Sequence, residues 1–174
     1  MSVQELNLDE LRDRLHARIN GIEEQSIREF TRKMTDLAPQ GFWDNPASRN
    51  HHRYEERLPH GNVLHTLRAG DAFIILASTQ SFLQRAVDIG TSAVVLHDQY
   101  KHGRDGTEPK STPDHMLIPH KVARENKLTC LHFLMIMHAI ESHMGKWGPR
   151  MPQNRIDWTV HMADAIAARY LEFE

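Results

Sequence analysis

Histidines inside apolar stretches are the feature that most restricts how this chain can fold. The sequence has 13 histidines, and His132 and His138, for example, interrupt a stretch that is otherwise rich in leucine, methionine and isoleucine. Burying an imidazole is costly unless its polar nitrogens find partners. The fold must therefore supply those partners, and a bound metal ion would be one.

Apolar residues recur at helical spacing through most of the sequence. The segment 8–37 carries such a pattern, and Asn20-Gly21 within it fits either two helices or one interrupted helix. Asn62 is positioned to cap a central helix. Further helices are predicted over about 62–79, 82–96, from 115 onward, 131–144 and 155–170, and loops over 42–61 and 101–110. Because β-branched alternation is scarce, we predict an all-α fold, a single helical bundle with the site at its centre.

The size and composition indicate one domain. With 174 residues, of which 40% are hydrophobic and 25% charged, the chain can form one core, and 1–41 is expected to be a helical segment packed on a domain of 42–174. The net charge of -2 argues against the dense basic surface that non-specific duplex binding needs.

Several features predict a cytoplasmic protein. Cys130 is the single cysteine, so an internal disulfide is excluded and a reducing compartment fits best. The residues 1–10 lack the basic-then-apolar pattern of a secretory signal. The longest apolar stretch, 131–140, is too short to span a bilayer, so no membrane association is expected.

Metal-ligating residue types occur in five segments, each at or near a predicted helix end. An adjacent His-Asp pair can converge on one point mainly at a helix end, because neighbouring helical side chains diverge by about 100°. Imidazoles with carboxylates suit Mn, Fe, Co, Ni or Zn better than Mg or Ca, so one or two divalent transition metals are predicted, with Asp98 able to bridge two. The candidate ligands are His65, His97, Asp98, His115, His143 and Asp164.

The order of these residues resembles the H…HD…H…H…D signature of the HD superfamily of metal-dependent phosphohydrolases. The segments 45–52 and 64–67 are also similar to the motif around the first metal histidine of YhaM-type 3′→5′ exoribonucleases, and 140–145 and 160–167 look like two further motifs of that family. These last two segments resemble uncharacterised phage-type HD-domain proteins still more closely. The likeness covers about residues 42–170 and implies that 42–174 is an HD domain.

The resemblance implies hydrolysis of a phosphate ester through a metal-activated water, with Asp98 and Lys101 as catalytic residues. Lys101 stands where the HDxxK pattern has its lysine and would counter charge on the phosphoryl oxygens. Trp147, in the loop just after His143, is expected to stack on a base, and Arg169 is a further cation for the substrate. His52 is a substrate-contact candidate on the likeness alone.

The departures from the family pattern favour a small substrate. The Gly-Gly before the first metal histidine is absent, Glu55–Pro59 is inserted nearby, and Met144 replaces a second histidine. No β-rich nucleic-acid module precedes the helices. A nucleotide or a short single-stranded nucleic acid is therefore the expected substrate, rather than long RNA degraded processively.

Some alternatives remain open at the level of sequence. His120 competes with His115 as the third histidine ligand, and His161 and Glu141 are candidates for supporting the ligands. An HD-type mixed-valent di-iron oxygenase and a non-catalytic nucleotide- or metal-binding protein are the rival functions. A homo-oligomer is also left open.

Overall fold

The computed structural model describes residues 7–50 and 52–169, and within these ranges the chain is all-helical, without a β-strand. The prediction of an all-α bundle is confirmed. Short 3₁₀ helices occur at Glu55–Arg57, His115–Leu117 and Gly145–Trp147. The α-helices of the described residues are α1 Leu8–Asn20, α2 Gln25–Asp36, α3 Gln40–Asp44, α4 Gly61–Thr79, α5 Gln84–Leu96, α6 Ile118–Glu125, α7 Phe133–Ser142 and α8 Arg155–Arg169.

The break predicted at Asn20-Gly21 separates two helices. Asn7 caps α1 by accepting hydrogen bonds from the backbone N–H groups of Asp9 and Glu10, which satisfies donors that have no partner within the helix. Glu24 caps α2 in the same way through the backbone N–H of Ile27. Each helix therefore carries its own start signal, and the two-helix alternative is the correct one.

Two local predictions are wrong. The segment 42–61 was expected to be a loop throughout, but α3 extends into it, with Phe42 and Trp43 buried. Asn62 does not cap α4, because His60 holds the position before the helix with φ 66°. The buried amide of Asn62 instead donates to the backbone carbonyl of Asp98 at 3.1 Å, so tertiary contact decides its role.

The helix α4 lies at the centre of the bundle. It packs against α1, α5 and α8, while α5 also contacts α2 and α7. Most of its residues are buried, including Leu67 and Phe73, as expected for a helix that is apolar around its circumference. The start of α4 lies beside the chain that follows α5, because the side chain of Asn62 bonds to the carbonyl of Asp98.

Close packing of α4 against α5 depends on Gly90. A Cβ built on Gly90 would lie 2.0 Å from Cζ of Phe73, whose ring is fully buried. Because the ring cannot move away without disturbing the core, Gly90→Ala is expected to lower the free energy of unfolding by about 1–3 kcal/mol, measured by urea denaturation.

Gly21→Ala is the matched control, because Gly21 has an ordinary φ of -73° and its nearest contact to an added Cβ is 3.3 Å. We expect that variant to change stability by less than about 1 kcal/mol. If both variants had the same free energy of unfolding, the contact between residue 90 and Phe73 would not contribute to stability as proposed.

None of the helices in the described ranges combines the length and the apolar character needed to cross a membrane.

Candidate metal centre

The six predicted ligand residues lie together in one cluster, which we call the six-residue cluster. The four histidines and Asp98 are at most 2% exposed, whereas the side chain of Asp164 is 19% exposed. The cluster consists of His65, His97, Asp98, His115, His143 and Asp164, drawn from positions up to 99 residues apart in the chain.

Asp98 occupies the middle of this cluster. Its Oδ1 atom lies 3.1 Å from Nε2 of His115 and 3.6 Å from Nε2 of His143. Its Oδ2 atom lies 3.6 Å from Nε2 of His97 and 3.7 Å from Nε2 of His65. Each carboxylate oxygen therefore faces a different pair of imidazoles.

Asp164 completes the side of the cluster that contains His65 and His97. Its Oδ1 atom lies 2.9 Å from Nε2 of His65 and 3.6 Å from Nε2 of His97. The six residues therefore form two overlapping groups, each of which could hold a metal ion. Within each group, every residue offers one ligand atom, and these atoms lie within 4.8 Å of one another. The four-residue group is His65, His97, Asp98 and Asp164, and the three-residue group is Asp98, His115 and His143.

Helix ends explain how this convergence arises. His97 and Asp98 directly follow α5, and His143 directly follows α7. His97 keeps helical dihedral angles of φ -59° and ψ -42°. Its Nε2 atom nevertheless lies 3.6 Å from Oδ2 of Asp98, so the two adjacent side chains reach one point directly after α5. His65 and Asp164 instead project from α4 and α8, the two helices that pack along each other at the core.

Hydrogen bonds fix the orientation of three of the rings. The Nδ1 atoms of His97, His115 and His143 lie 2.6–2.8 Å from a backbone carbonyl oxygen three residues earlier. Because a carbonyl can only accept, Nδ1 carries the proton and Nε2 keeps a lone pair. In this tautomer each ring presents an electron pair to Asp98, which is the form in which histidine binds metals.

The atoms at the centre of the cluster lack protein partners. Nε2 of His97, of His115 and of His143 and Oδ1 of Asp98 are buried and make no hydrogen bond within the described residues. Buried polar atoms are rarely left unpaired, and here acceptor faces acceptor. A cation in each of the two groups would give these atoms the partner they lack, so the donor set fits metal ions.

The electrostatics of the carboxylates favour a cation. Burial acts to raise the pKa of Asp98, but Lys101 and the neighbouring His97 hold it well below its ordinary value. Burial likewise opposes ionisation of Asp164, while the hydrogen bond with His65 and the nearby ring of His97 keep its pKa well below the ordinary value. Both carboxylates are therefore ionised at neutral pH.

The pKa values of two cluster histidines, His143 and His65, are shifted in opposite directions. Burial, together with the charge of His97, lowers the pKa of His143 to about 3. Burial also disfavours the charged form of His65, but the hydrogen bond to Asp164 and the nearby carboxylate of Glu56 raise its pKa to about 9. His143 is thus ready to coordinate, whereas His65 must release a proton when it binds a metal.

Two further predicted site residues lie beside the cluster. Nζ of Lys101 donates a hydrogen bond to Oδ2 of Asp98, and its side chain is largely buried. The ring of His52 lies edge-on to that of His65, with centroids 4.5 Å apart. His51, the other histidine of that loop, lies outside the described residues.

Trp147 and Arg169, predicted to bind substrate, lie against each other. The Trp147 side chain is 61% exposed, and the guanidinium carbon of Arg169 is 5.8 Å from its ring centroid. Nζ of Lys146 is 4.6 Å from the same centroid. The 3₁₀ helix after His143 therefore presents an aromatic ring with two cations.

His115, and not His120, lies beside Asp98. The Nδ1 atom of His120 is 2.7 Å from Oε1 of Glu141, whose other oxygen is 2.9 Å from Nε of Arg150. Glu141 is therefore engaged by these two residues. His161 donates through Nδ1 to the backbone carbonyl of His143 at 2.6 Å, which places it directly behind a cluster histidine.

Glu56 is the residue at this site that sequence reasoning missed. It lies in the inserted segment 55–59, yet its side chain is fully buried. Its carboxylate contacts His52, His65 and Arg68 at 2.8, 3.3 and 2.8 Å. The four-residue spacing of His52 and Glu56 was the available signal, because that spacing can join side chains across a turn.

Comparison with protein-family models, with curated proteins and with solved structures gave no match. The likeness to HD-domain phosphohydrolases therefore remains a prediction from the motifs.

Proposed function

We propose that this protein is an HD-type metal-dependent phosphohydrolase that cleaves a phosphate ester of a nucleotide or a short oligonucleotide. One observation carries the proposal: a single buried carboxylate, that of Asp98, belongs to both groups of potential metal ligands. A carboxylate shared in this way can hold two cations side by side, which is the arrangement used for in-line displacement at phosphorus.

The donors suit divalent transition metals. His65, His97, Asp98 and Asp164 would hold one ion, and His115 and His143 would hold a second together with Asp98. Four imidazoles with two carboxylates favour Mn, Fe, Co, Ni or Zn over Mg or Ca. When bound, such an ion lowers the pKa of water toward neutrality and so supplies a hydroxide nucleophile.

The chain's own residues would orient and neutralise the substrate. Lys101 is the cation nearest to the shared carboxylate, with Nζ 2.5 Å from Oδ2 of Asp98, so it is positioned to counter negative charge on phosphoryl oxygens. His52, beside His65, would contact the substrate at the edge of the cluster. Asp98 and Asp164 stay ionised and therefore remain acceptors throughout.

The proposed substrate class follows from the exposed Trp147. A nucleobase can stack on its ring, and Lys146 and Arg169 beside the ring are available to phosphate groups. The net charge of -2 gives no broad attraction to long nucleic acid. A nucleotide or a short single strand therefore fits better than duplex DNA or long RNA.

The test is metal analysis of the purified protein followed by a screen of nucleotides, cyclic dinucleotides and short RNA with manganese. Release of phosphate or of a mononucleotide, in air and under anaerobic conditions alike, is the expected result. Turnover that requires iron and oxygen would favour the di-iron oxygenase instead. Binding of nucleotide or metal without any turnover would favour the non-catalytic alternative.

Lys101→Met is expected to lower kcat by about 10²–10³-fold, because it removes a cation from the reacting phosphate. The bound metal should be retained, since none of the six proposed ligands is changed, and metal content and kcat are measured on the same preparation. Lys121→Met, at an exposed position of α6, is the control and should leave both unchanged. Loss of metal in parallel with activity would instead make Lys101 a structural partner of Asp98.

A further inference from the structure

The four histidines of the cluster differ in how their Nδ1 atoms are held. His97 and His143 follow the ends of α5 and α7, and they donate to the carbonyls of Val94 and Ile140. These carbonyls belong to the last turn of each helix, where no N–H four residues later is available. The carbonyl of Ile140 also accepts from the backbone N–H of His143 at 3.3 Å. A carbonyl oxygen has two lone pairs, so both rings still find an acceptor at a helix end.

His65 has no such acceptor. It is the fifth residue of α4, and the carbonyl three residues before it, that of Asn62, already accepts from the hydroxyl of Thr66 at 3.0 Å. Within a helix the same carbonyl also serves the ladder of backbone hydrogen bonds. The Nδ1 atom of His65 instead lies 3.3 Å from Oε2 of Glu56, an ion-pair contact without hydrogen-bond geometry. Glu56 is therefore the acceptor next to a buried ring nitrogen that has no other partner among the described residues.

The carboxylate of Glu56 is itself held in place. Its Oε1 accepts from Nη1 of Arg68 at 2.8 Å, and its Oε2 lies 2.8 Å from Nδ1 of His52. Arg68 balances the charge, so this buried carboxylate is an ion pair rather than an isolated anion. Burial alone would raise the pKa of Glu56, but the hydrogen bonds with His52 and Arg68 and the nearby ring of His65 lower it.

The backbone around Glu56 is fitted to the start of α4. A Cβ on Gly61 would lie 2.1 Å from the carbonyl oxygen of Glu56, so only glycine permits this approach. The same carbonyl accepts from the backbone N–H of Ala47 at 2.8 Å. The inserted segment 55–59 therefore packs closely against the first residue of α4, the helix that carries His65.

We infer that Glu56 is a positioning residue, which accepts the Nδ1 proton of His65 and thereby presents Nε2 of that ring to the metal at Asp164 and Asp98. His52 and Arg68 fix the position of the Glu56 carboxylate through their contacts with its two oxygens. Buried carboxylates behind metal-binding histidines fix the tautomer and increase the basicity of the ligand. The effect on turnover rests on the proposed function, whereas the effect on metal binding does not.

A competing interpretation places a third cation among His52, Glu56 and His65, whose ligand atoms also lie within 4.8 Å of one another. The contacts favour positioning. Arg68 already supplies the positive charge at the carboxylate, and a third cation would require His65 to coordinate through both ring nitrogens at once.

The first measurement uses the unmodified protein. Histidine ¹⁵N NMR of the zinc-loaded full chain is expected to show His65 protonated at Nδ1 and coordinated through Nε2. Coordination through Nδ1, or a proton on Nε2, would overturn the inference. Because no variant is needed, the result does not depend on how well a substituted chain folds.

The second measurement compares Glu56→Gln with Glu55→Gln, a neighbour whose side chain is half exposed. Zinc affinity is measured by chelator competition, and Glu56→Gln is expected to weaken one site by about 10–100-fold while the other site and the control stay unchanged. Glu56→Asp should recover part of the affinity. Unchanged affinity in Glu56→Gln, or loss of one of three bound zinc ions, would each contradict the positioning role.

These readouts need no substrate. Failure to hydrolyse any phosphate ester would therefore count against the proposed function alone, and unchanged zinc affinity would count against the role of Glu56 alone.

Discussion

Replacing Asp98 with alanine is expected to remove bound metal and to lower hydrolysis of bis(p-nitrophenyl) phosphate with manganese by at least about 10³-fold. The physical reason is that both groups of potential ligands contain this carboxylate. Its loss leaves only imidazoles in the three-residue group and leaves Asp164 as the one carboxylate of the four-residue group. Metal content and turnover are measured on the same purified sample.

Two further variants serve as controls for the Asp98→Ala result. Asp98→Asn keeps the shape of the side chain but not its charge, so it should also lose metal while remaining folded by circular dichroism. Asp36→Ala, at an exposed position at the end of α2, should retain full activity. An Asp98→Ala protein that still hydrolyses the ester would remove the proposed mechanism.

Stripping the metal with a chelator is expected to abolish activity and to lower the thermal midpoint of unfolding. A ligand present at 100 times its Kd stabilises the native state by about 2.7 kcal/mol, which corresponds to roughly 5–11 °C for a domain of this size. The cause is the set of buried, unpaired Nε2 atoms, which gain a partner in the folded state alone. Differential scanning calorimetry with and without manganese measures the shift.

The specificity of that shift can be checked with Asp98→Asn, whose midpoint should respond much less to added manganese. Manganese should also restore both activity and the thermal midpoint of the stripped native protein. Identical thermal midpoints before and after complete removal of the metal would show that the cluster contributes nothing to stability through a bound cation.

Half of the cluster could be predicted from helix boundaries, whereas His65 and Asp164 lie within α4 and α8 and were indicated by the order of ligand residues that resembles the HD signature. His97 and Asp98 end an apolar helical pattern, and His143 ends another, so both were assigned to helix ends that could converge. The helical pattern also gave the two N-terminal helices, although Asn20-Gly21 alone did not exclude one interrupted helix. Such local signals survive folding when tertiary packing agrees with them.

Other features depend on contacts that no local pattern contains. Asn62 resembled a helix cap, but its amide bonds to the chain after α5. Glu56 resembled a solvated glutamate in an insertion, and its burial is set by Arg68 and His52. The family pattern already favoured His115 over His120, but the contact of His120 with Glu141 could not be read from the sequence.

The dispersal of the ligands along the chain has a consequence for biosynthesis. Translation delivers His115 and His143 before Asp164, which lies 99 residues after His65. A nascent chain that has not yet released α8 therefore has the donors of the three-residue group, while the four-residue group still lacks one carboxylate. Complete assembly of the four-residue group must therefore wait for α8, which is also the helix that packs along α4.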